Sequence, residues 1–180
     1  MEKLDAFLKR NLNENLKDII KSICHSCGII DSHISKVERN KNNCESENFT
    51  GDIQKEIDIL CNNILYSSLV GTGKVSSIIS EENQRIIKLK RNISDRYLVA
   101  FDPLDGSSNI DYDGGMGTIF SVYNETGEYP SGKDIICAGY VLYSNSTVLV
   151  LSFSDKVYHF TLNRTNNCFF KNEGIIVIPS

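Results

Sequence analysis

Apolar residues recur every three to four positions over the first third of the chain. Further on they come in alternating or near-continuous short runs. Leu16, Ile19, Ile20, Ile23, Cys24 and Cys27 fall on one side of a helix, so the spacing predicts a helix over 2–28 that Gly28 ends. Within it, Leu4, Phe7 and Leu8 mark an earlier turn or a short separate helix. Residues 38–50 are polar without a period and read as a mobile loop. The stretch TGDIQKEIDILCNNILYSSL predicts a second helix, with Ile53, Ile57, Leu60 and Ile64 along one side. Asp52 is placed to cap that helix, and GTG at 71–73 ends it.

From there the pattern is that of strands. VSSIIS (75–80), RIIKLK (85–90), RYLVAF (96–101), GTIFSVY (117–123), IICAGYVLYS (135–144), TVLVLSF (147–153) and KVYHFTL (156–162) are all β-like, and NCFFK and GIIVI follow. Several are joined by turn residues. The sum is one α+β, or layered α/β, domain over 1–180, with its helices packed on a mixed, largely antiparallel sheet. The last run, IVIPS, reads as a fold interrupted part-way.

Composition narrows the function classes. With 41% hydrophobic residues, 180 positions suffice for a sizeable core, and the net charge of −4 disfavours general nucleic-acid or anionic-membrane surfaces. The N-terminus has no apolar signal region, and no run approaches the ~18 apolar residues of a membrane span. A cytoplasmic protein with reduced thiols is expected, the six cysteines being scattered at 24, 27, 44, 61, 137 and 168. Cys24 and Cys27 have C-x-x-C spacing but lie on an apolar helix face, which predicts core packing. GTGKVSS at 71–77 lacks the phosphate-loop pattern and reads as a turn.

Candidate chemistry is carboxylate chemistry. Glu81 and Glu82 follow one predicted strand, Asp102 and Asp105 follow another, and Asp58 lies in the second helix. Carboxylates at strand ends suit hard divalent cations, and two such ions can clamp an in-line displacement at phosphorus. Pro103 stiffens the turn between the two aspartates, and Gly106, Ser107 and Ser108 supply the donors a phosphate needs. Asp-Pro and Asp-Gly are also ordinary turn formers, so the loop alone leaves a turn and a site both open. The loop does not fit a calcium EF-hand, because the third and fifth positions from Asp102 are Leu104 and Gly106.

The string FDPLDGSSNID, followed by GTIF, resembles the fructose-1,6-bisphosphatase family. More broadly, E-E and D-P-L-D-G-S resemble the magnesium-dependent, lithium-sensitive sugar and inositol phosphatases. The likeness extends upstream through TGDIQKEIDILCNN and ISEEN and downstream through AGYVLYSNSTVLVLSF. It implies the sugar-phosphatase fold and Mg²⁺-dependent hydrolysis of the 1-phosphate of fructose 1,6-bisphosphate, a step of gluconeogenesis. It implies two or three Mg²⁺ ions, with Mn²⁺ as a substitute. Residue by residue, it implies Glu81, Asp102, Asp105 and the Leu104 carbonyl as metal ligands. Asp58 and Glu82 would form a general-base pair. Gly106, Ser107 and Ser108 would hold the scissile phosphate, Asn109 would lie on the substrate side, and Asp52 would belong to a loop closing over the metals.

The family pattern continues in a second half that carries sugar-binding residues, so the chain reads as the N-terminal domain alone. The sugar bisphosphate is the expected partner, with a homo-oligomer in the full-length protein and no nucleic acid or membrane. Arg96-Tyr97 matches a basic–Tyr pair that contacts AMP, but the Gly/Thr-rich AMP loop has no match around 7–15. Two alternatives stand beside the main reading: a sedoheptulose-1,7-bisphosphatase, and a truncated domain that binds metal without turnover.

Overall fold

The expected first helix is two helices. In the computed structural model, which describes residues 1–41, 50–89, 97–112, 114–124 and 131–173, α1 spans Leu4–Asn11 and α2 spans Glu14–Lys41. Leu12 is extended, and Asn13 Oδ1 accepts the Leu16 N–H at 2.9 Å, capping the start of α2. Gly28 does not stop the helix. A Cβ there would stand 1.6 Å from Asn167 Oδ1, so the glycine admits a turn of the sheet against the helix. Ile30 and Ile34 carry the buried stripe past Gly28. Residues 38–41, read as loop from their polarity, are the last turn of α2; 42–49 lie outside the described residues.

The third helix, α3 (Thr50–Thr72), begins before Asp52, which therefore lies inside its first turn rather than capping it. The side chains of Asp52 and Ile53 are outside the described residues. Its buried stripe is Ile57, Cys61, Leu65 and Leu69; Leu60 is 38% exposed and Ile64 only partly buried. α3 is apolar on more than one side, so periodicity alone did not select the face. Gly73, at φ +71°, ends it as expected, its N–H returning to the Val70 carbonyl at 3.3 Å.

The strands are β1 (Val75–Ser80), β2 (Ile87–Lys88), β3 (Tyr97–Asp105), β4 (Met116–Asn124), β5 (Ile135–Tyr143), β6 (Val148–Phe153), β7 (Lys156–Asn163) and β8 (Cys168–Lys171). Among the described residues they form one sheet in the order β2-β1-β3-β4-β5-β6-β7-β8. Only β1 and β3 run parallel; every other neighbouring pair is antiparallel. This is the expected mixed, largely antiparallel sheet. β2 is shorter than its composition predicts, and GIIVI lies outside the described residues.

Alternation decides the faces. Tyr97, Val99 and Phe101 on β3, Met116, Phe120 and Val122 on β4, and Leu149, Leu151 and Phe153 on β6 are buried, in one core with the apolar stripes of the helices. Ile119, Tyr140 and Leu142 point the other way and are exposed. That second face forms an open, apolar cleft of about 770 Å³, with Glu81 and Asp102 among its lining residues.

Among the described residues, one charged side chain is buried in the core. Asp31 on α2 receives Arg164 Nε at 2.7 Å, Arg164 Nη2 at 2.9 Å and the Thr147 hydroxyl. The Arg164 guanidinium also donates to the Ser144 and Asn145 carbonyls, fastening α2 to two turns of the sheet.

Candidate active site

The Asp-Pro-Leu-Asp segment is strand rather than loop. β3 pairs with β4 through Asp102↔Ile119 and resumes at Asp105↔Gly117, with a register shift between. Two residues of β3, Pro103 and Leu104, thus have no partner on β4, and the bulge re-aims the carboxylates at the sheet's end. Leu104 is buried, Asp102 is partly buried and Asp105 is exposed. The Leu104 N–H donates to Asp102 Oδ1 at 3.0 Å, fixing that carboxylate on its own backbone.

Glu81 and Glu82 form the exposed turn after β1. The parallel pairing of β1 and β3 sets Ser80 beside Phe101, and the Glu81 N–H donates to the Phe101 carbonyl at 3.1 Å. Sequence order separates the Glu pair from Asp102; the parallel ladder brings them to one end of the sheet. Ser80, not singled out from sequence, is buried at this joint. Its hydroxyl donates to Asn62 Oδ1 on α3 at 2.7 Å and accepts the Glu82 N–H at 3.3 Å. Ser80 closes a strand that also carries Ser76 and Ser77, so nothing in the residue pattern set it apart.

Beyond Asp105 the chain turns sharply. Gly106 adopts φ +76°, and a Cβ there would stand 2.9 Å from the Gly115 carbonyl oxygen, so both conformation and space call for glycine. A 3-10 turn, Ser107–Tyr112, follows. Ser107 Oγ donates to Asp58 Oδ2 at 3.2 Å, joining the Gly-Ser-Ser loop to α3. Ser108 and Asn109 are exposed. The Asn109 side-chain amide donates to the Gly115 carbonyl at 3.0 Å, and the Asn109 backbone carbonyl accepts the Gly114 N–H at 3.1 Å. Asn109 therefore braces the loop, a contact that no local residue pattern predicts.

Electrostatics mark the same residues. Burial raises the Asp58 carboxyl, opposed by the Ser107 bond and reinforced by the charge of Glu81. Glu82 is raised by burial and then by the charges of Asp58 and Glu81. Asp102 is raised by burial, opposed by the Leu104 N–H, and raised again by Asp105, Glu81 and Asp58. Each carboxylate disfavours its neighbours' ionisation, which is a like-charge cluster that a cation relieves. The donors are all oxygen, the set a hard divalent ion takes. As they stand, no three His, Cys, Asp or Glu side chains among the described residues are grouped closely enough to hold an ion. The expected metal set thus converges on one end of the sheet without closing on a centre. Asp52 contributes no described side chain here.

Together these features define an α+β domain with a carboxylate cluster and a Gly-Ser-Ser turn at the end of a mixed sheet. The model of the fructose-1-6-bisphosphatase N-terminal domain matches residues 3–173, and the chain belongs to that family. It is 36% identical over 180 residues to a fructose-1,6-bisphosphatase class 1 of Pseudoalteromonas translucida, covering 94% of this chain and 55% of that protein. It is 41% identical over 143 residues to one of Shewanella baltica, covering 75% of this chain and 43% of the relative. The crystal structure of Leishmania major fructose-1,6-bisphosphatase in holo form superposes with a TM-score of 0.78 at 27% identity, over 98% of this chain and 56% of that one. The chain spans about half the length of the curated relatives it matches. No described helix is long and apolar enough to cross a membrane.

Proposed function

We propose that this domain carries the phosphoryl-transfer machinery of a fructose-1,6-bisphosphatase, releasing the 1-phosphate of fructose 1,6-bisphosphate as inorganic phosphate. The observation that carries the reading is the meeting, at one end of the sheet, of Glu82 and Asp102 with Asp58 of α3, each raised by burial and by neighbouring acidic charge, beside the Gly106-Ser107-Ser108 turn.

Glu81, Asp102, Asp105 and the Leu104 carbonyl would hold the Mg²⁺ ions, two or three by family pattern and replaceable by Mn²⁺. Bound there, the ions neutralise charge on the transferring phosphoryl oxygens. The backbone N–H groups and hydroxyls of Gly106, Ser107 and Ser108 bind the phosphate and orient it. Asp58 and Glu82 accept the proton of the attacking water, a task that a raised carboxyl pKa favours. Asn109 holds the loop in shape from Gly115, and Asp52 belongs to the segment beside the site. The place of action is the cytoplasm and the whole protein is a homo-oligomer, on the ground of family likeness alone.

A second reading has its own support. The relatives are about twice as long as the chain, so a domain that binds Mg²⁺ without turnover is the competing outcome. Phosphate release from fructose 1,6-bisphosphate decides between them, measured with and without Mg²⁺, with sedoheptulose 1,7-bisphosphate in parallel. Metal-dependent release, lost in Glu81→Gln, supports the enzyme. Calorimetric Mg²⁺ binding with no release from the folded chain supports the second reading, and neither binding nor release refutes both.

A further inference from the structure

Beneath the carboxylates, between sheet and helices, runs a buried polar relay. Thr118 on β4 is fully buried and Tyr143 on β5 is 3% exposed. Their hydroxyl oxygens are 2.6 Å apart, and Thr118 Oγ1 donates to the Pro103 carbonyl at 2.8 Å. A threonine hydroxyl has one hydrogen, and Pro103 takes it. Tyr143 must then donate to Thr118, which leaves the tyrosine oxygen free to accept. The relay has one direction, from Tyr143 through Thr118 to the Pro103 carbonyl.

Its far end reaches the site. The Pro103 carbonyl and the Leu104 N–H belong to one planar peptide unit, and a trans peptide points them in opposite directions. That N–H is the one that donates to Asp102 Oδ1 at 3.0 Å. A single rigid plane thus carries Thr118 on its buried side and the Asp102 carboxylate on the other. It lies in the bulge where the register of β3 against β4 shifts, between Asp102 and Asp105. Without the threonine hydroxyl, the Pro103 carbonyl, in a buried residue, would lose a hydrogen-bond donor. The plane would rotate to find one, carrying the Leu104 N–H away from Asp102.

We propose that Thr118, oriented by Tyr143, is a positioning residue for Asp102, acting through the Pro103–Leu104 peptide. Its effect on cation binding rests on the reading of Asp102 as a metal ligand; the hydrogen-bond geometry does not.

The test uses Thr118→Val, which keeps the shape and removes the donor, Thr118→Ser, which keeps the donor, and Tyr143→Phe. The first readout is amide hydrogen exchange of Leu104 by NMR, without metal, against amides of β6 as a reference for global opening. Leu104 exchange is expected to accelerate about tenfold relative to β6 in Thr118→Val and to return towards wild type in Thr118→Ser. Asp102→Ala serves as the control that frees the same amide. The second readout is Mg²⁺ affinity by calorimetry, expected to fall about tenfold in Thr118→Val, less in Tyr143→Phe, and little in Thr118→Ser. A folded Thr118→Val with unchanged Leu104 exchange overturns the proposal. Should Thr118→Val fail to fold, Tyr143→Phe decides by the same relative exchange. Accelerated exchange in a chain that does not bind Mg²⁺ upholds the positioning role and overturns the cation reading instead.

Discussion

Ser107 Oγ donates to Asp58 Oδ2 at 3.2 Å, tying the turn after β3 to the middle of α3. The bond engages one carboxylate oxygen of Asp58. Asp58→Asn keeps the size and an acceptor for Ser107 while removing the carboxylate to which the proposed function assigns the base role. It should lower phosphate release by about 10²–10⁴-fold. Mg²⁺ affinity should stay within a few-fold of wild type. Steady-state release and calorimetry on the same preparations check this, and a mutant with wild-type turnover removes Asp58 from the proton-transfer role.

The like-charge cluster makes an opposite prediction for the ligand set. In metal-free protein, neutralising one carboxylate relieves its neighbours, so Glu81→Gln and Asp105→Asn should match or slightly exceed the wild-type melting temperature. Added Mg²⁺ should raise the melting temperature of wild type and not of either mutant, because a ligand that binds only the folded state stabilises it by mass action. Phosphate release should fall by orders of magnitude in both. Equal Mg²⁺-induced shifts in mutant and wild type would exclude these residues as ligands.

Arg164 is the partner that makes Asp31 tolerable in the core. Arg164→Ala leaves a carboxylate that is 4% exposed with Thr147 as its remaining partner. Breaking such a pair costs about 3–5 kcal/mol when both charges are buried. The Arg164 side chain is 46% exposed, so solvent screening lowers the expected loss to about 2–3 kcal/mol. Urea denaturation followed by circular dichroism measures it. Adding Asp31→Asn to Arg164→Ala should recover part of the loss, since the uncompensated charge is then gone. A loss below about 0.5 kcal/mol in the single mutant would show that the pair is not a structural tie.

The core thiols predict an alkaline limit. Burial pushes Cys27 up to about 11 and Cys61 and Cys137 up to about 12, from the ordinary thiol value of 9.0. Cys24 is raised in the same direction. The folded state therefore holds these protons more tightly than the unfolded chain. Stability from this source is complete below about pH 8 and falls from pH 9 to 12, where the unfolded chain ionises first. The urea midpoint should drop across that range. At pH 8, in a Cys44→Ser background, a thiol reagent should modify Cys168 and spare Cys24, Cys27, Cys61 and Cys137 until urea is added. Rapid labelling of a core thiol in native protein would contradict the packing.

The sequence by itself determined the helical front, the positions of most strands and the acidic, phosphate-suited motif. These are local properties: the helical period and the strand alternation are written in neighbouring residues, and Asp102 to Ser108 lie within one short stretch. It also determined that Cys24 and Cys27 pack in the core, because an apolar helix face outweighs a C-x-x-C spacing. Tertiary structure decided what depends on distant partners. α2 runs through Gly28 because Asn167 of a sheet turn packs there, and the polar run after it stays helical on Ile30 and Ile34. The bulge in β3 is set by its register against β4, the meeting of Glu81 with Asp102 by a parallel ladder, and the pairing of Asp31 with Arg164 by a contact across 133 positions. Thr118 shows the boundary. GTIF reads as part of a strand, and only the packing of Tyr143 and Pro103 around one hydroxyl hydrogen gives its threonine a task.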